Sequence, residues 1–508
     1  MPWIALAVAL VAVAAVRVRL LGVPLERDEG EYAYLGSLIL QGVPPYAEAW
    51  NMKWPGIYAL YALLIGVGGP TVVAIHAGLL LANVWNALAV ALLGRRLLGD
   101  AAGAVAGAAY AALSLSTAVL GLWAHAEPFA LSLALAGLMF TLDAQRLERL
   151  VAAGLLLGAA VVVKQNAAPL ALFGVAVVAA GPPPRAGRLT AFALAGLVPL
   201  AVTMAVLALC GVFPRFWQWT FVYVRSYGSQ VGIVDGLDNL ALALAQILPT
   251  QAVWWLAAAV GAAAPLWSRE VRAHAPFLFG FLAAGALAAS FGLFYRSQYF
   301  VLLLPALALL AGAAVHAAPA GGPRNLVAAG LALAGLATPI GVERDLLLRR
   351  TPDEVARAVY GPNPFVEAPE LARLIASLTP TDARIAVIGS EPEIYFYAGR
   401  RAATGYIYMY PLMEPQPLAL AMQEELIAQV EASRPEYVVF VSVDVSWLVE
   451  PGSPRRIFEW FEGYAARHYT AIARAEIARD GTRWSYEADA RQPTGARYWV
   501  TLLRRNSA

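Results

Sequence analysis

The chain has one cysteine, Cys210, and only two lysines, Lys53 and Lys164, among 508 residues. A lone cysteine excludes an internal disulfide framework and any metal site built on clustered thiolates. Charged residues make up only 14% of the sequence, whereas 60% are hydrophobic. With a mean hydropathy of +0.62, this excludes a soluble protein of ordinary composition. The formal net charge of +2 is too small to argue for nucleic acid or a strongly anionic partner. The multi-glycine pattern of a nucleotide loop is missing, and Gly389-Ser390 alone does not replace it. The first apolar run, 3–23, lacks a basic leader and a small-residue cleavage site, so it reads as a retained helix. Against so many arginines, the two lysines mark positions where a compact ammonium can act differently from a guanidinium. Chance survival under an arginine-rich bias is the plainer reading.

Long apolar runs are what the chain has in abundance. A helix needs about 20 apolar residues to cross the hydrocarbon core. Candidate spans are 3–23, 71–94, 101–122, 126–142, 151–163, 166–180, 189–211, 249–267, 276–294, 298–316 and 325–342. Residues 56–69 read as an interfacial helix, since a crossing there would invert every later loop. Arg95/Arg96, Arg146/Arg149, Arg185/Arg188, Arg269/Arg272 and Arg324 all fall in short connections. A cytoplasmic N-terminus puts them together on the inner side, as the positive-inside rule requires. Arginines flank the run 151–180 on both sides, so it must go out and return, turning near Lys164-Gln165-Asn166 with Pro169 just beyond. The expected fold is a polytopic α-helical membrane protein of about 11 spans, catalytic over 1–345, with an extracytoplasmic α/β domain over 346–508. The setting is the inner membrane, with membrane lipids as surroundings.

This parity gathers Asp28, Glu29, Lys53, His125, Glu127, Lys164, Gln165 and Arg296 at the outer ends of spans or in outer loops. Such clustering on one face suits a site that opens outward. Residues 212–248 read as a long outer loop rich in aromatics, either an interfacial belt or a mobile lid in which Arg225 or Tyr227 touches substrate. After about residue 345 charge becomes frequent and apolar runs shrink. Segments 384–389, 437–443, 469–477 and 498–503 read as strands, and 417–433 and 455–468 as amphipathic helices. Arg17 and Arg19 lie near the outer end of the first span on different helix faces, so at most one meets a site.

Asp28-Glu29 follows the first span. Then come Tyr32-Ala33, Gly42-Val43-Pro44-Pro45-Tyr46 and Lys53-Trp54-Pro55. This loop resembles the first extracytoplasmic loop of the GT-C glycosyltransferases that use polyprenyl-phosphate sugars. The resemblance is to the group containing protein O-mannosyltransferases and lipid A aminoarabinose transferases. The family's lysine-proline-proline is Lys-Trp-Pro here. The 390–406 segment also resembles the extracytoplasmic domain often fused to these enzymes. The resemblance implies an inverting transferase that moves a sugar from a polyprenyl-phosphate donor to a lipid, glycan or protein acceptor. It implies no cofactor and no metal requirement.

Inverting transfer needs one carboxylate to take the acceptor proton as an oxocarbenium-like centre forms. A phosphate leaves as a stabilised anion, so no enzyme acid is required for it. Asp28 is the candidate base, and Glu29 is either the base instead or the group that orients Asp28. The plainer reading of Asp28 is a helix N-cap before GEYAYLGSLIL. Lys53 and Arg296 are candidates to hold the donor phosphate, against simple snorkelling to lipid headgroups. Tyr32, Lys164, Gln165 and Tyr299 are candidate substrate contacts. His125 and Glu127 resemble the acidic position of the family's second outer loop. A His-x-Glu pair alone lacks the further ligands of a metal site, and Glu127 before Pro128 also suits a helix N-terminus. The rival readings are a lipid-linked glycan flippase and an accessory membrane protein. A flippase would spread charge toward the midplane and show paired halves, and no internal repeat is visible.

Overall fold

The computed structural model describes residues 2–142, 146–182, 185–320, 322–478, 481–492 and 494–507. Among them, every strand lies after Leu378, and everything before is helix and connection. Six helices are long and apolar enough to cross a membrane: Pro2–Arg19, Val72–Leu98, Arg185–Leu209, Ile233–Leu266, Arg269–Ala289 and Gly322–Val342. Each of the other expected runs coincides with a shorter helix, for local reasons. The run from 101 stops as helix at Leu113, because the buried Arg17 guanidinium takes the carbonyls of Ser114 and Gly121, both at 2.6 Å. The run from 298 begins as a 3-10 turn, Ser297–Leu302, and becomes α-helical only at Leu304, where Pro305 occupies the first turn. The run 151–180 breaks at Lys164, whose backbone is extended. A single 3-10 turn, Gln165–Ala167, then leads into the helix Ala168–Ala180 with Pro169 in its first turn.

The long loop expected at 212–248 is not one. Phe213–Trp217, a π-helical turn at Gln218–Tyr223 and Val224–Tyr227 form a broken helix, and Ile233–Ala263 is already continuous helix. Asp235, Asp238 and Asn239 mask the apolar periodicity of 233–248, and Pro249 imitates a boundary although it lies inside the helix.

The C-terminal region carries one six-stranded sheet: β1 Arg384–Ile388, β2 Arg401–Ala402, β3 Tyr437–Ser442, β4 Tyr469–Ala478, β5 Gly481–Tyr486 and β6 Tyr498–Arg505. Its order is β2-β1-β3-β6-β4-β5. β1 is parallel to β2 and β3, and the rest pair antiparallel, with a register shift in β4 between Ala471 and Ala473. The helices Ala419–Ser433 and Arg456–His468 fall where their amphipathic patterns place them. β2 has only two residues, and β5 is a half-exposed edge strand without apolar alternation, so neither gives a sequence signal.

This region is packed tightly onto residues 24–54. Leu25 N donates to Tyr397 Oη at 2.9 Å, Ala402 N to Tyr34 Oη at 2.8 Å and Trp50 N to the Gly405 carbonyl at 3.2 Å. Glu48 pairs with Arg384 at 2.9 Å and with Arg401 at 3.1 Å. A Cβ on Gly30 would lie 2.6 Å from the Glu393 backbone nitrogen, so only glycine permits this approach.

Candidate functional site

The helix Arg27–Leu40 begins with a capping box made by Glu26 and Glu29. Glu26 Oε1 accepts from Glu29 N at 2.9 Å, and Glu29 Oε2 accepts from Glu26 N at 3.1 Å. The capping role is thus filled, and Asp28, in the first turn, is free of it. Asp28 and Glu31 are three residues apart and share a helix face. Lys53 Nζ lies between them, 2.8 Å from Asp28 Oδ1 and 2.6 Å from Glu31 Oε2. Glu31 is completed by Asn51 Nδ2 at 2.8 Å and Tyr58 Oη at 2.7 Å.

Two contacts set the Lys53 turn. Tyr46 Oη donates to the Lys53 carbonyl. Gly56 packs so closely on the helix Leu147–Val163 that a Cβ would meet the Val162 carbonyl oxygen at 2.5 Å. Gln165 Nε2 then donates to the Met52 carbonyl at 2.9 Å. The turns holding the two lysines are therefore built against each other. Lys164 Nζ lies 3.0 Å from Glu127 Oε1 and 5.4 Å from the centre of the Tyr299 ring.

These elements surround a cavity of about 370 Å³. Among the expected site residues, Asp28, Lys53, His125, Lys164, Gln165, Arg296 and Tyr299 line it. Glu29, Tyr32 and Glu127 do not, and all three are fully buried. Glu29 is spent on structure, holding His76 Nε2 at 2.8 Å and the Ala124 amide. Tyr32 stands behind Lys53, whose ammonium is 4.9 Å from its ring centre. Glu127 compensates Lys164 from below. Arg17 and Arg19 are also absent from the lining; Arg19 donates to the Leu347 carbonyl at 3.1 Å.

The residues that sequence reasoning missed come mainly from elsewhere in the chain. Tyr408, Tyr410 and Glu414 enter the cavity from the C-terminal region, and Glu26 and Arg27 from the residues just before Asp28. Tyr408 Oη donates to Asp28 Oδ1 at 3.3 Å. Arg27 is the hinge pin of the arrangement: it pairs with Glu391 at 3.1 Å and donates to Asn363 Oδ1 at 2.8 Å and to Tyr410 Oη at 2.6 Å. No local motif announces these contacts. The one sequence signal for that region is the resemblance of 390–406 to the extracytoplasmic domain often fused to such transferases.

The electrostatics follow from the pairing. Burial would raise the Asp28 carboxyl, but the Lys53 and Lys164 ammonium groups outweigh it and hold Asp28 well below the usual carboxylate range. Burial would lower the Lys53 ammonium, but Asp28 and Glu31 raise it above its ordinary value. Burial, reinforced by Asp28 and Glu29, raises Glu26. Burial lowers His125 despite the carboxylates around it, so the ring is neutral near pH 7. Neither ring nitrogen of His125 has a hydrogen-bond partner among the described residues. Its Nδ1 lies 3.6 Å from Glu26 Oε1 and 3.8 Å from Asp28 Oδ2. Ligand atoms of Glu26, Asp28 and His125 lie within 4.8 Å of one another, which is the spacing a cation could use. Arg27, Lys53 and Lys164 each pair with a carboxylate. Arg296 has no carboxylate partner among the described residues, and its guanidinium lies 5.3 Å from the centre of the Phe294 ring.

No protein-family model matches the chain, and no curated protein matches it in sequence. Solved structures do resemble it. ArnT from Cupriavidus metallidurans bound to undecaprenyl phosphate is 16% identical, with 98% of this chain and 97% of that chain covered at a TM-score of 0.57. The archaeal oligosaccharyltransferase AglB from Archaeoglobus fulgidus, in complex with an inhibitory peptide and a dolichol-phosphate, is 13% identical. There 97% of this chain and 75% of the other are covered at a TM-score of 0.51. Over nearly its whole length this chain shares the fold of these two structures.

Proposed function

We propose that the protein is an integral-membrane, inverting glycosyltransferase that moves a sugar from a polyprenyl-phosphate carrier to an acceptor nucleophile on the extracytoplasmic side. One observation carries the reading. Asp28 lines a cavity as an ionised carboxylate, relieved of helix capping by Glu26 and Glu29, with cationic groups disposed around it. A base beside cations suits attack on a sugar whose leaving group is already an anionic phosphate. The shared fold supports a lipid-phosphate donor, since one relative was solved with undecaprenyl phosphate and the other with a dolichol-phosphate.

In this reading Arg296, the cation without a carboxylate, receives the donor phosphate first. The phosphate then competes with Asp28 for the Lys53 ammonium. Loosening that pair raises the basicity of Asp28 only when donor is bound, which ties proton removal to occupancy of the site. Lys164 and Tyr299 complete the phosphate side. No metal is required. A cation placed among Glu26, Asp28 and His125 would sit beside the Lys53 ammonium, which already compensates Asp28 at 2.8 Å. The sugar and the acceptor are open to a direct screen. Purified protein is offered synthetic polyprenyl-phosphate sugars and membrane acceptor pools, and release of free polyprenyl phosphate is measured. Absence of release across neutral, amino and pentose donors would overturn the proposal.

A further inference from the structure

The far wall of the cavity carries a carboxylate that the transfer chemistry above does not use. Glu414 closes the short helix Tyr410–Met413 and is 9% exposed. Its Oε2 accepts from Tyr223 Oη at 2.6 Å and from Gln230 Nε2 at 2.9 Å. Its Oε1 accepts from no donor among the described residues, in a side chain that lines the cavity. Both Glu414 and Tyr223 line the same cavity as Tyr227 and Phe294, whose rings stack with centroids 4.5 Å apart. A fixed carboxylate with one open oxygen, beside an aromatic stack, matches the two faces of a sugar ring. The hydroxyls donate to the carboxylate, and the C–H face covers the ring. Arg296 lines the same cavity, so the carboxylate faces the space that also holds the proposed phosphate cation. Burial raises the Glu414 carboxyl above its ordinary value, while the Tyr223 and Gln230 hydrogen bonds and then Arg296 lower it.

We infer that Glu414 is the specificity-determining residue for the donor sugar, accepting hydrogen bonds from its hydroxyls and rejecting sugars that carry a carboxylate. The assignment rests on the lipid-phosphate reading of the site. A charged acceptor makes strong hydrogen bonds to sugar hydroxyls. With Arg296 engaged by the donor phosphate, a carboxylated sugar would instead place like charge against Glu414. Tyr223 comes from the broken helix that begins at Phe213 and Gln230 from the turn after it, so the sugar side is built jointly by that segment and the C-terminal region.

The test measures binding of three ligands to the full-length protein in lipid nanodiscs: sugarless polyprenyl phosphate, a neutral hexosyl form and a uronyl form. With wild-type protein, the neutral form should bind at least tenfold more tightly than the uronyl form. In Glu414→Gln that preference should fall below threefold, while sugarless polyprenyl phosphate binds within twofold of wild type. Glu414→Asp, which keeps the charge, should keep the preference. Equal loss for the sugarless and sugar-bearing ligands would overturn the assignment by making Glu414 structural. An unchanged ligand preference in Glu414→Gln, with acceptor KM alone altered in a parallel turnover assay, would overturn it by moving Glu414 to the acceptor. A wild-type protein indifferent to the uronyl group would overturn it without any variant. Failure of wild type to bind sugarless polyprenyl phosphate would instead sink the lipid-phosphate reading and the assignment together.

Discussion

Tyr408 Oη donates to Asp28 Oδ1 across 3.3 Å, although 380 residues separate the two in the chain. The proposed base is thus held from two sides, by Lys53 from its own loop and by a phenol from the C-terminal region. Tyr408→Phe keeps the ring, whose centre lies 5.3 Å from the Lys53 ammonium, and loses only the hydroxyl. A hydrogen bond of this kind is worth about 1 kcal/mol. Turnover should therefore fall about fivefold with donor KM nearly unchanged, and steady-state kinetics on the variant check it.

Asp28→Asn keeps size and hydrogen bonding but removes basicity. Single-turnover transfer should drop about 100-fold or more while donor affinity is largely kept. Glu26→Gln is the matching capping variant, expected to cost about 1 kcal/mol of stability and little turnover. Full activity in Asp28→Asn would pass the role of base to another group.

Lys53→Ala strips the compensating cation from both Asp28 and Glu31. Leaving buried charge unpaired costs about 3–5 kcal/mol, so thermal stability in detergent should fall as well as donor affinity. Unchanged stability would mean that water reaches both carboxylates.

His125 supplies a pH signature. Its folded pKa is depressed by burial, so the unfolded chain binds the proton more readily. Stability should be full above the ordinary histidine value of about 6.5 and decline as pH falls through it. Melting temperatures of wild type and His125→Gln between about pH 7.5 and 5.5 should diverge, with the variant flatter.

If the site works as one base with cations, chelation should leave turnover unchanged and added Mg²⁺ or Mn²⁺ should not raise it. A metal requirement would turn Glu26, Asp28 and His125 into a ligand set.

Orientation is checked with single cysteines at the exposed positions Ser377 and Gly452 in a Cys210-free background. Both should react with impermeant reagents on intact cells, and Arg146→Cys should not.

Much of this architecture is legible in the sequence because it is local. Apolar runs mark the helices, and β1, β3, β4 and β6 declare themselves by β-branched and aromatic content. The Asp28–Lys53 loop is short enough for its spacing to carry meaning. What escapes is whatever depends on packing between distant segments. Glu26, not Asp28, takes the capping role. Glu29 turns inward to His76, and Glu127 stays beneath Lys164. Tyr408, Tyr410 and Glu414 reach the cavity only because Arg27, Gly30 and Trp50 dock their region onto the first loop. No periodicity encodes such contacts. The helix at 233–248 was hidden for the opposite reason, by polar residues and a proline within a regular element.

The strand order places β6, made last, between β3 and β4. A growing chain can therefore prepare two partial sheets but cannot join them until residues 498–505 exist. The helix bundle is complete long before that moment, while the wall that bears Tyr408 and Glu414 still lacks a finished support. The order of synthesis thus acts as a timer for this wall, which is finished only when β6 joins the two partial sheets.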